Sequence, residues 1–168
     1  MAYENQRIGV FVDVANMYHS AKNLHGANVN FTSVLKEAVG KRQLIRAIAY
    51  VVRSKSKEEE PFFEALYRAG FEVKMKDLQI FAGGIKKANW DVGIAIDAIK
   101  LADKLDAIVL VSGDGDYIPL VNYLKENKGC KVEVMAFGKT ASTKLIEAAD
   151  IFSDLSKNKT RFLIRRSK

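Results

Sequence analysis

Cysteine and proline are scarce in this sequence. Among its 168 residues, one is cysteine (Cys130) and two are proline. A single cysteine cannot form an intrachain disulfide, which excludes the disulfide-stapled secreted domains and favours a reducing compartment. A domain of this length buries roughly two-thirds of the surface of its unfolded chain, so it can fold without disulfides or a structural metal.

Long apolar runs are also missing. No window of about 18 apolar residues is present to form a membrane-spanning helix. The first residues, MAYENQRIGVFVDVAN, lack the apolar stretch and cleavage site of a secretory signal. We therefore expect a soluble, cytoplasmic protein with no membrane partner. Repeats and Pro/Gly/Ser-rich linkers are absent, so the length indicates one domain.

Several familiar motifs do not occur. The sequence has no P-loop, no dinucleotide-binding fingerprint and no nucleophile elbow, which argues against the enzyme classes that use them. His19 and His25 have no sequence partner that suggests a metal pair or a catalytic dyad. Both are expected to be structural or exposed.

Acidic residues are missing from the last part of the chain. The formal net charge is +7, from 27 basic and 20 acidic residues, and the segment 156–168 (SKNKTRFLIRRSK) carries only basic charges. We divide the chain into a domain over residues 1–155 and a basic tail over 156–168. The tail suits a polyanion such as nucleic acid, although a solvated terminus that aids solubility is the alternative.

Short apolar runs alternate with segments of helical periodicity, which predicts an α/β protein with a mostly parallel sheet. Strands are predicted at residues 7–12, 44–52, 107–111 and 131–136, with a strand or hairpin over 71–81 and a short strand at 161–165. Helices are predicted at 16–24, 32–39, 58–69, 90–102, 117–128 and 140–149. Ligands of such sheets bind beyond the carboxyl ends of the strands.

Two of the predicted strands end in acidic residues. The first leads into Asp13, with Asn16 three positions later, and the strand at 107–111 leads into the sequence SGDGD at 112–116. A carboxylate at the rim of a sheet is costly unless it is paired or metal-bound. Asp114 and Asp116 can point at one ion, and Mg²⁺ or Mn²⁺ prefers oxygen ligands of this kind. Helix capping and a solvated turn are their alternative roles.

A third acidic position, Asp91, opens the amphipathic helix that precedes the strand at 107–111. The start of this helix would lie at the same edge of the sheet as Asp13, so three elements would bring four carboxylates into one cleft. Carboxylates so close repel one another unless a cation neutralises them. Asp97 lies roughly 120° round the same helix and can play only a supporting part. Capping is the alternative role of Asp91.

Other side chains near the expected cleft are candidates for contact with a substrate. Asn16 is a neutral ligand or an orienting group, or else a helix cap, and Ser112 can donate to a carboxylate or a phosphate. Lys86, Lys87 and Trp90 precede the helix. Basic groups beside an aromatic ring suit a nucleic-acid backbone and a stacked base, although packing in the core explains Trp90 equally well.

Four segments in this order resemble the NYN domain: GVFVDVANMYHSAK, KKANWDVGIAIDAIKLA, DAIVLVSGDGDYIPLVNYLKENKGCKVEVMAFG and ASTKLIEAADIFSDL. The likeness covers residue 7 to about residue 155 and is closest to the LabA-like branch of the PIN-like nuclease superfamily. It implies a Rossmann-like three-layer sandwich. It also implies a Mg²⁺- or Mn²⁺-dependent ribonuclease or general nuclease site.

The resemblance also assigns roles to individual positions. Carried over by motif, it makes Asn16 a catalytic residue and Asp97 and Ser112 supporting residues, and its catalytic metal ligands are the four acids Asp13, Asp91, Asp114 and Asp116. The first motif reads DVAN where a glycine is common between its Asp and Asn, and Trp90 replaces a small or aliphatic residue. Neither departure removes a carboxylate.

The leading hypothesis is a metal-dependent endoribonuclease that acts on single-stranded RNA. The alternative is a non-catalytic RNA-binding or regulatory module on the same fold, because the basic tail suits RNA and no general base other than carboxylates is evident. A third possibility is an aspartyl-phosphate enzyme with Asp13 as nucleophile, although the second acid two residues later is missing. A homo-oligomer is compatible with each of these.

Overall fold

The structure is a computed structural model that describes residues 4–54, 59–84 and 86–165, without the side chains of Lys86 and Lys87. The strands are β1 (Arg7–Asp13), β2 (Asn28–Val29), β3 (Gln43–Arg53), β4 (Glu72–Asp77), β5 (Gln79–Ile80), β6 (Lys86–Lys87), β7 (Ala107–Val111), β8 (Lys131–Ala136), β9 (Ile151–Asp154) and β10 (Leu163–Ile164). The helices are α1 (Val14–His25), α2 (Phe31–Val39), α3 (Glu60–Ala69), α4 (Asp91–Ala102), α5 (Ile118–Lys128), α6 (Thr143–Ala148) and α7 (Lys159–Phe162).

Six strands form one parallel sheet in the order β4-β3-β1-β7-β8-β9. The amino-terminal strand β1 lies in the interior of the sheet, where Val12 pairs with Ala49 of β3 on one side and Val111 of β7 on the other. Apart from Arg7, every residue of β1 is buried. Burial of this kind explains the nearly continuous apolar run of its sequence.

An apolar core lies on each face of the sheet, which makes three layers. Because successive residues of a strand point to opposite faces, Val10 and Val12 enter the core beneath α1, α2 and α3, whereas Phe11 enters the core beneath α4, α5 and α6. The predicted three-layer α/β fold is confirmed. Among the described residues, no helix has both the length and the apolar character needed to cross a membrane.

The ends of the helices follow the predicted punctuation. Pro61 lies in the first turn of α3, and the helix ends at Gly70, whose φ of +108° is left-handed. The helix predicted from residue 58 begins at Glu60, and residues 55–58 lie outside the described residues. The helix predicted over 140–149 is shorter, because Ser142 accepts a hydrogen bond from the backbone N–H of Leu145 and so caps α6 one residue before Thr143.

Several short elements were not predicted. The strand β9 extends the sheet beyond β8, and β2 pairs antiparallel with β10 in a separate two-stranded ribbon. The strand β10 itself lies within the short strand predicted at 161–165 and covers only two of its residues. The region predicted as a strand or hairpin over 71–81 contains β4, which joins the main sheet, and β5, which pairs with β6. Part of the predicted basic tail is folded, since Phe162 and Leu163 are buried against the core beneath α1, α2 and α3.

Candidate metal and nucleic-acid site

Asp13 stands at the carboxyl end of β1, directly before α1. Its side chain is 8% exposed, and Oδ1 accepts a hydrogen bond of 3.2 Å from the backbone N–H of Asn16. Asp13 is therefore the N-cap of α1, the role that the sequence offered as an alternative for Asn16. The cap fixes one oxygen of the carboxylate and leaves Oδ2 facing the neighbouring strand.

The loop that follows β7 is attached to this helix start. The Asn16 side-chain oxygen accepts a hydrogen bond of 3.0 Å from the backbone N–H of Gly113. The Ser112 hydroxyl donates to Asp13 Oδ2 over 3.4 Å and accepts from the backbone N–H of Asp114 over 3.2 Å. Ser112 is fully buried. These bonds hold the acidic loop in one position relative to β1, so Asn16 and Ser112 position the site.

Three carboxylates converge in front of this loop. One oxygen from each of Asp91, Asp114 and Asp116 lies within 4.8 Å of the others, a group that could hold a metal ion. Asp91 is the first residue of α4, and the other two follow β7. The backbone N–H of Asp116 donates to Asp114 Oδ1 over 2.9 Å, which fixes the turn between them. Asp116 is exposed, so solvent and a substrate can reach the cluster.

Tyr117 connects this cluster to Asp13. Its hydroxyl oxygen lies 3.0 Å from Asp13 Oδ2 and 3.0 Å from Asp91 Oδ1, and its side chain is almost completely buried. A phenol has one hydrogen, so it can donate to only one carboxylate at a time. The sequence pattern predicted Tyr117 only as the start of a helix. The signal that could have identified it is a phenol directly after the acidic turn, in a short 3₁₀ turn at Gly115–Tyr117.

Burial and repulsion make the site favour a cation. Burial raises the pKa of Asp13 above its ordinary value, and the charges of Asp91 and Asp114 add to the effect, against hydrogen bonds from Asn16 and Tyr117 that lower it. Burial also raises the pKa of Asp91, as do Asp114 and Asp116, whereas Tyr117 and Lys76 act in the opposite direction. A divalent ion would reverse this balance because it stabilises the charged carboxylates.

Asp97 lies apart from the cluster. Its Oδ2 accepts hydrogen bonds from the Tyr50 hydroxyl over 2.8 Å and from Lys74 Nζ over 2.7 Å. Burial alone would raise the pKa of Asp97, but these two bonds and the charges of Lys74 and Lys100 hold it below the ordinary value. The side chain ties α4 to β3 and β4 and thereby supports the position of the helix that begins with Asp91.

Trp90 is packed rather than free. Its indole N–H donates to the backbone oxygen of Val51 over 2.8 Å, and its ring centroid lies 5.3 Å from that of Tyr50. Lys76 Nζ lies 4.4 Å from the centre of the indole and also donates to the backbone oxygen of Asn89. These contacts give Trp90 a packing role, and base stacking by it stays a prediction. The predicted nucleic-acid contacts of Lys86 and Lys87 concern side chains outside the described residues.

The fold has three layers around a parallel sheet, and carboxylates lie beyond the ends of its central strands. This is the architecture of PIN-like nucleases. The NYN domain model matches residues 7–156, and the chain belongs to this family of PIN-like nucleases. It is 28% identical over 164 residues to the low amplitude and bright protein LabA of Synechococcus elongatus, a similarity that covers 93% of this chain and 87% of that protein. The NYN and LabA-like resemblance is confirmed.

A solved structure supports the same fold. The crystal structure of a protein of unknown function from Vibrio parahaemolyticus matches with a TM-score of 0.88 and 31% sequence identity. The match covers 98% of this chain and 99% of the other. The similarity therefore extends over the sheet, both helical layers and the segment that contains β10.

Proposed function

We propose that this protein is an endoribonuclease that uses Mg²⁺ or Mn²⁺ to cleave phosphodiester bonds of single-stranded RNA. The observation that carries the proposal is the cluster of Asp91, Asp114 and Asp116, whose carboxylate oxygens lie within 4.8 Å of one another at the carboxyl edge of the sheet. Membership of a PIN-like nuclease family supports a nucleic-acid substrate.

The donor set suits a hard divalent cation. All three side chains offer carboxylate oxygens, and Mg²⁺ and Mn²⁺ prefer oxygen ligands together with water and phosphate oxygens. A bound ion would supply a water of lowered pKa and neutralise charge on the phosphate. The exposed side of Asp116 leaves room for a substrate phosphate to approach the cluster.

The neighbouring residues act on the position of these ligands. The Tyr117 hydroxyl lies within hydrogen-bond distance of Asp13 and Asp91, and Asn16 holds the loop of Asp114 through Gly113. A direct contact between Asp13 and the ion stays a prediction. Both oxygens of Asp13 already have hydrogen-bond partners and the group is buried, which argues against Asp13 as the nucleophile of an aspartyl-phosphate enzyme.

The proposal is tested by the substitution Asp114→Asn, with Asp103→Asn as the matched control. Asp103 is exposed and pairs with Lys128, away from the cluster. Cleavage of a fluorophore-labelled single-stranded RNA in Mn²⁺ should occur with the wild type and with Asp103→Asn, and should fall to the level of the EDTA control with Asp114→Asn. Mn²⁺ binding, measured by calorimetry, should weaken in the same variant. Cleavage by Asp114→Asn at the wild-type rate contradicts the proposal.

The test also separates catalysis from binding alone. A wild-type protein that retains RNA without cleaving it in Mg²⁺, Mn²⁺ or other divalent ions would overturn the nuclease proposal in favour of an RNA-binding module. A duplex RNA and a single-stranded DNA of the same sequence serve as comparison substrates. Equal cleavage of all three would overturn the assignment to single-stranded RNA while retaining the metal site.

A further inference from the structure

A pocket of about 280 Å³ lies at the end of α1, away from the acidic cluster. It is lined by Lys22 and His25 of the helix, by residues 26–28, and by Ile164 of β10 and Arg165 directly after it. The pairing of β10 with β2 brings Arg165 to the pocket, because Ile164 is the partner of Asn28. The pocket therefore combines one chain segment after α1 with another from the basic part of the sequence.

Positive charge around this pocket is not neutralised. Burial lowers the pKa of His25, and the nearby cations Lys159, Arg165 and Lys139 lower it further, whereas Asp154 acts in the opposite direction. Asp154 Oδ1 already accepts hydrogen bonds from the backbone N–H groups of Gly138 and Ser156. Three cations and one acid therefore act on His25.

Several cations elsewhere on the molecule have salt-bridge partners. Arg7 pairs with Asp106, Arg42 with Glu133 and Lys128 with Asp103. Within residues 4–54, 59–84 and 86–165, no salt bridge involves any of the four basic groups of the pocket region, Lys22, Lys139, Lys159 and Arg165. Unpaired cations that surround a pocket suit a phosphate group.

The pocket and the acidic cluster are connected along the carboxyl edge of the sheet. The loop 137–142 touches the acidic loop at one end, where the backbone N–H of Ser142 donates to the backbone oxygen of Gly113. At its other end the ring of Phe137 lies 5.6 Å from that of His25. Lys139 is exposed between these two points. The helix α1 has 12 residues, so its start at Asp13 and its end at the pocket are separated by about 18 Å.

We propose that this pocket binds a backbone phosphate of the nucleic-acid strand whose cleavage site lies at the acidic cluster. The inference rests on the proposed function and adds a second contact point a few nucleotides from the reacting phosphate. The edge of the sheet is then divided into an acidic half that takes the metal and a basic half that holds the strand. Lys22 and Arg165 contact the phosphate, and Lys139 and Lys159 add to the field that attracts it.

Charge reversal tests the contact. Single-stranded RNA is titrated in EDTA, where it stays intact, with the wild type, Lys22→Glu, Arg165→Glu and the control Lys104→Glu, which changes an exposed lysine in the loop before β7 at the opposite edge. Each pocket variant should raise Kd about tenfold and reduce the slope of log Kd against log salt by about one. The control should bind within about twofold of the wild type.

The two histidines provide a second measurement. The chain contains only His19 and His25, so their imidazole signals in an NMR spectrum can be assigned with the variant His19→Asn. Micromolar RNA should shift the His25 signals, and inorganic phosphate should do so only at millimolar concentration. A His25 signal that inorganic phosphate shifts and RNA does not would overturn the assignment to a nucleic-acid strand.

The outcomes distinguish this inference from the proposed function. Wild-type affinity in both pocket variants refutes the second contact point, even where Asp114→Asn has lost cleavage. Weakened binding in the pocket variants, with intact binding and lost cleavage in Asp114→Asn, supports both statements. Cleavage that survives in Asp114→Asn refutes the metal site alone, because the affinity of the pocket variants is measured without a metal.

Discussion

The hydroxyl oxygen of Tyr117 lies 3.0 Å from Oδ2 of Asp13, inside the protein and behind the acidic cluster. The same oxygen lies 3.0 Å from Asp91, so one buried phenol holds the side chains of two elements that are far apart in sequence. Through this contact the end of the central strand β1 is connected to the start of α4. Four predictions follow from it and from its surroundings.

The substitution Tyr117→Phe removes the link and keeps the ring. Asp13 and Asp91 then lose the donor that they share while Asp13 stays buried, and the free energy of unfolding at pH 7 should fall by about 1–3 kcal/mol. Urea denaturation in EDTA measures the change. Tyr123→Phe is the control, because that side chain is 40% exposed, and it should unfold as the wild type does. An unchanged midpoint in Tyr117→Phe would show that the hydroxyl does not stabilise Asp13.

The raised pKa of Asp13 predicts a pH dependence of the metal-free protein. A carboxyl group whose pKa is higher in the folded state than in the unfolded state stabilises the fold most below the unfolded value of 3.8, and this contribution is lost as the pH rises through the folded pKa. The variant Asp13→Asn has no titrating carboxyl group at this position and therefore lacks this pH-dependent loss of stability. Its free energy of unfolding in EDTA, relative to the wild type, should therefore increase between pH 4 and neutrality. A constant difference would contradict the prediction.

The pH dependence of stability that comes from Asp97 should be opposite to that from Asp13. Its lowered pKa contributes stability that is present above 3.8 and is lost as the pH falls through the folded pKa. Asp97→Asn should cost about 1 kcal/mol at pH 7, a value that allows for the partial exposure of Lys74. The difference in the free energy of unfolding between this variant and the wild type should disappear at acidic pH. RNA cleavage should persist in this variant, and its complete loss would place Asp97 in the catalytic machinery.

Gly93 is predicted to be a site where alanine is destabilising inside a helix. A Cβ at this position would lie 2.6 Å from Cε3 of Trp90, and the indole is held by its hydrogen bond to Val51. Overpacking should outweigh the gain of about 1 kcal/mol that alanine usually brings to a helix, for a net cost of about 1–2 kcal/mol. Trp90→Phe provides the smaller ring that should relieve the clash.

A double-mutant cycle measures this coupling. Gly93→Ala should be destabilising alone and neutral or stabilising in the Trp90→Phe background, as determined from urea midpoints. Because Trp90 is the only tryptophan in the chain, its emission maximum reports the displacement of the ring in Gly93→Ala. Additive effects of the two substitutions would show that the methyl group of the alanine and the indole of Trp90 do not clash.

The sequence predicted the sheet and the acids at its carboxyl edge well because both depend on local patterns. The apolar run of β1 needs burial on two faces, and an acid that follows it directly has to lie at the edge. The gathering of Asp91, Asp114 and Asp116 required only the further rule that parallel strands end at one edge. The helix boundaries that carry glycine or proline, such as Gly70, were predictable for the same reason.

The features that were missed depend on tertiary contacts. The four residues of β9 carry little strand signal, and they form a strand because β8 offers them an edge. Asp13 is the helix cap because α1 begins at Val14, which places Asn16 inside the first turn, where its side chain accepts from the backbone N–H of Gly113. The bridging position of Tyr117 depends on how α4 packs against the turn after β7. No spacing within the sequence reports such a relationship.

The place of β1 beside β7 has a consequence for when the site forms. Asp13 and the SGDGD loop are separated by about a hundred positions of chain, and they become neighbours only when β1 has paired with β7. A chain in which these two strands are not paired carries every acid of the site but does not hold them together. The acidic site therefore depends on the long-range pairing of two strands and is absent from any form of the chain that lacks this pairing.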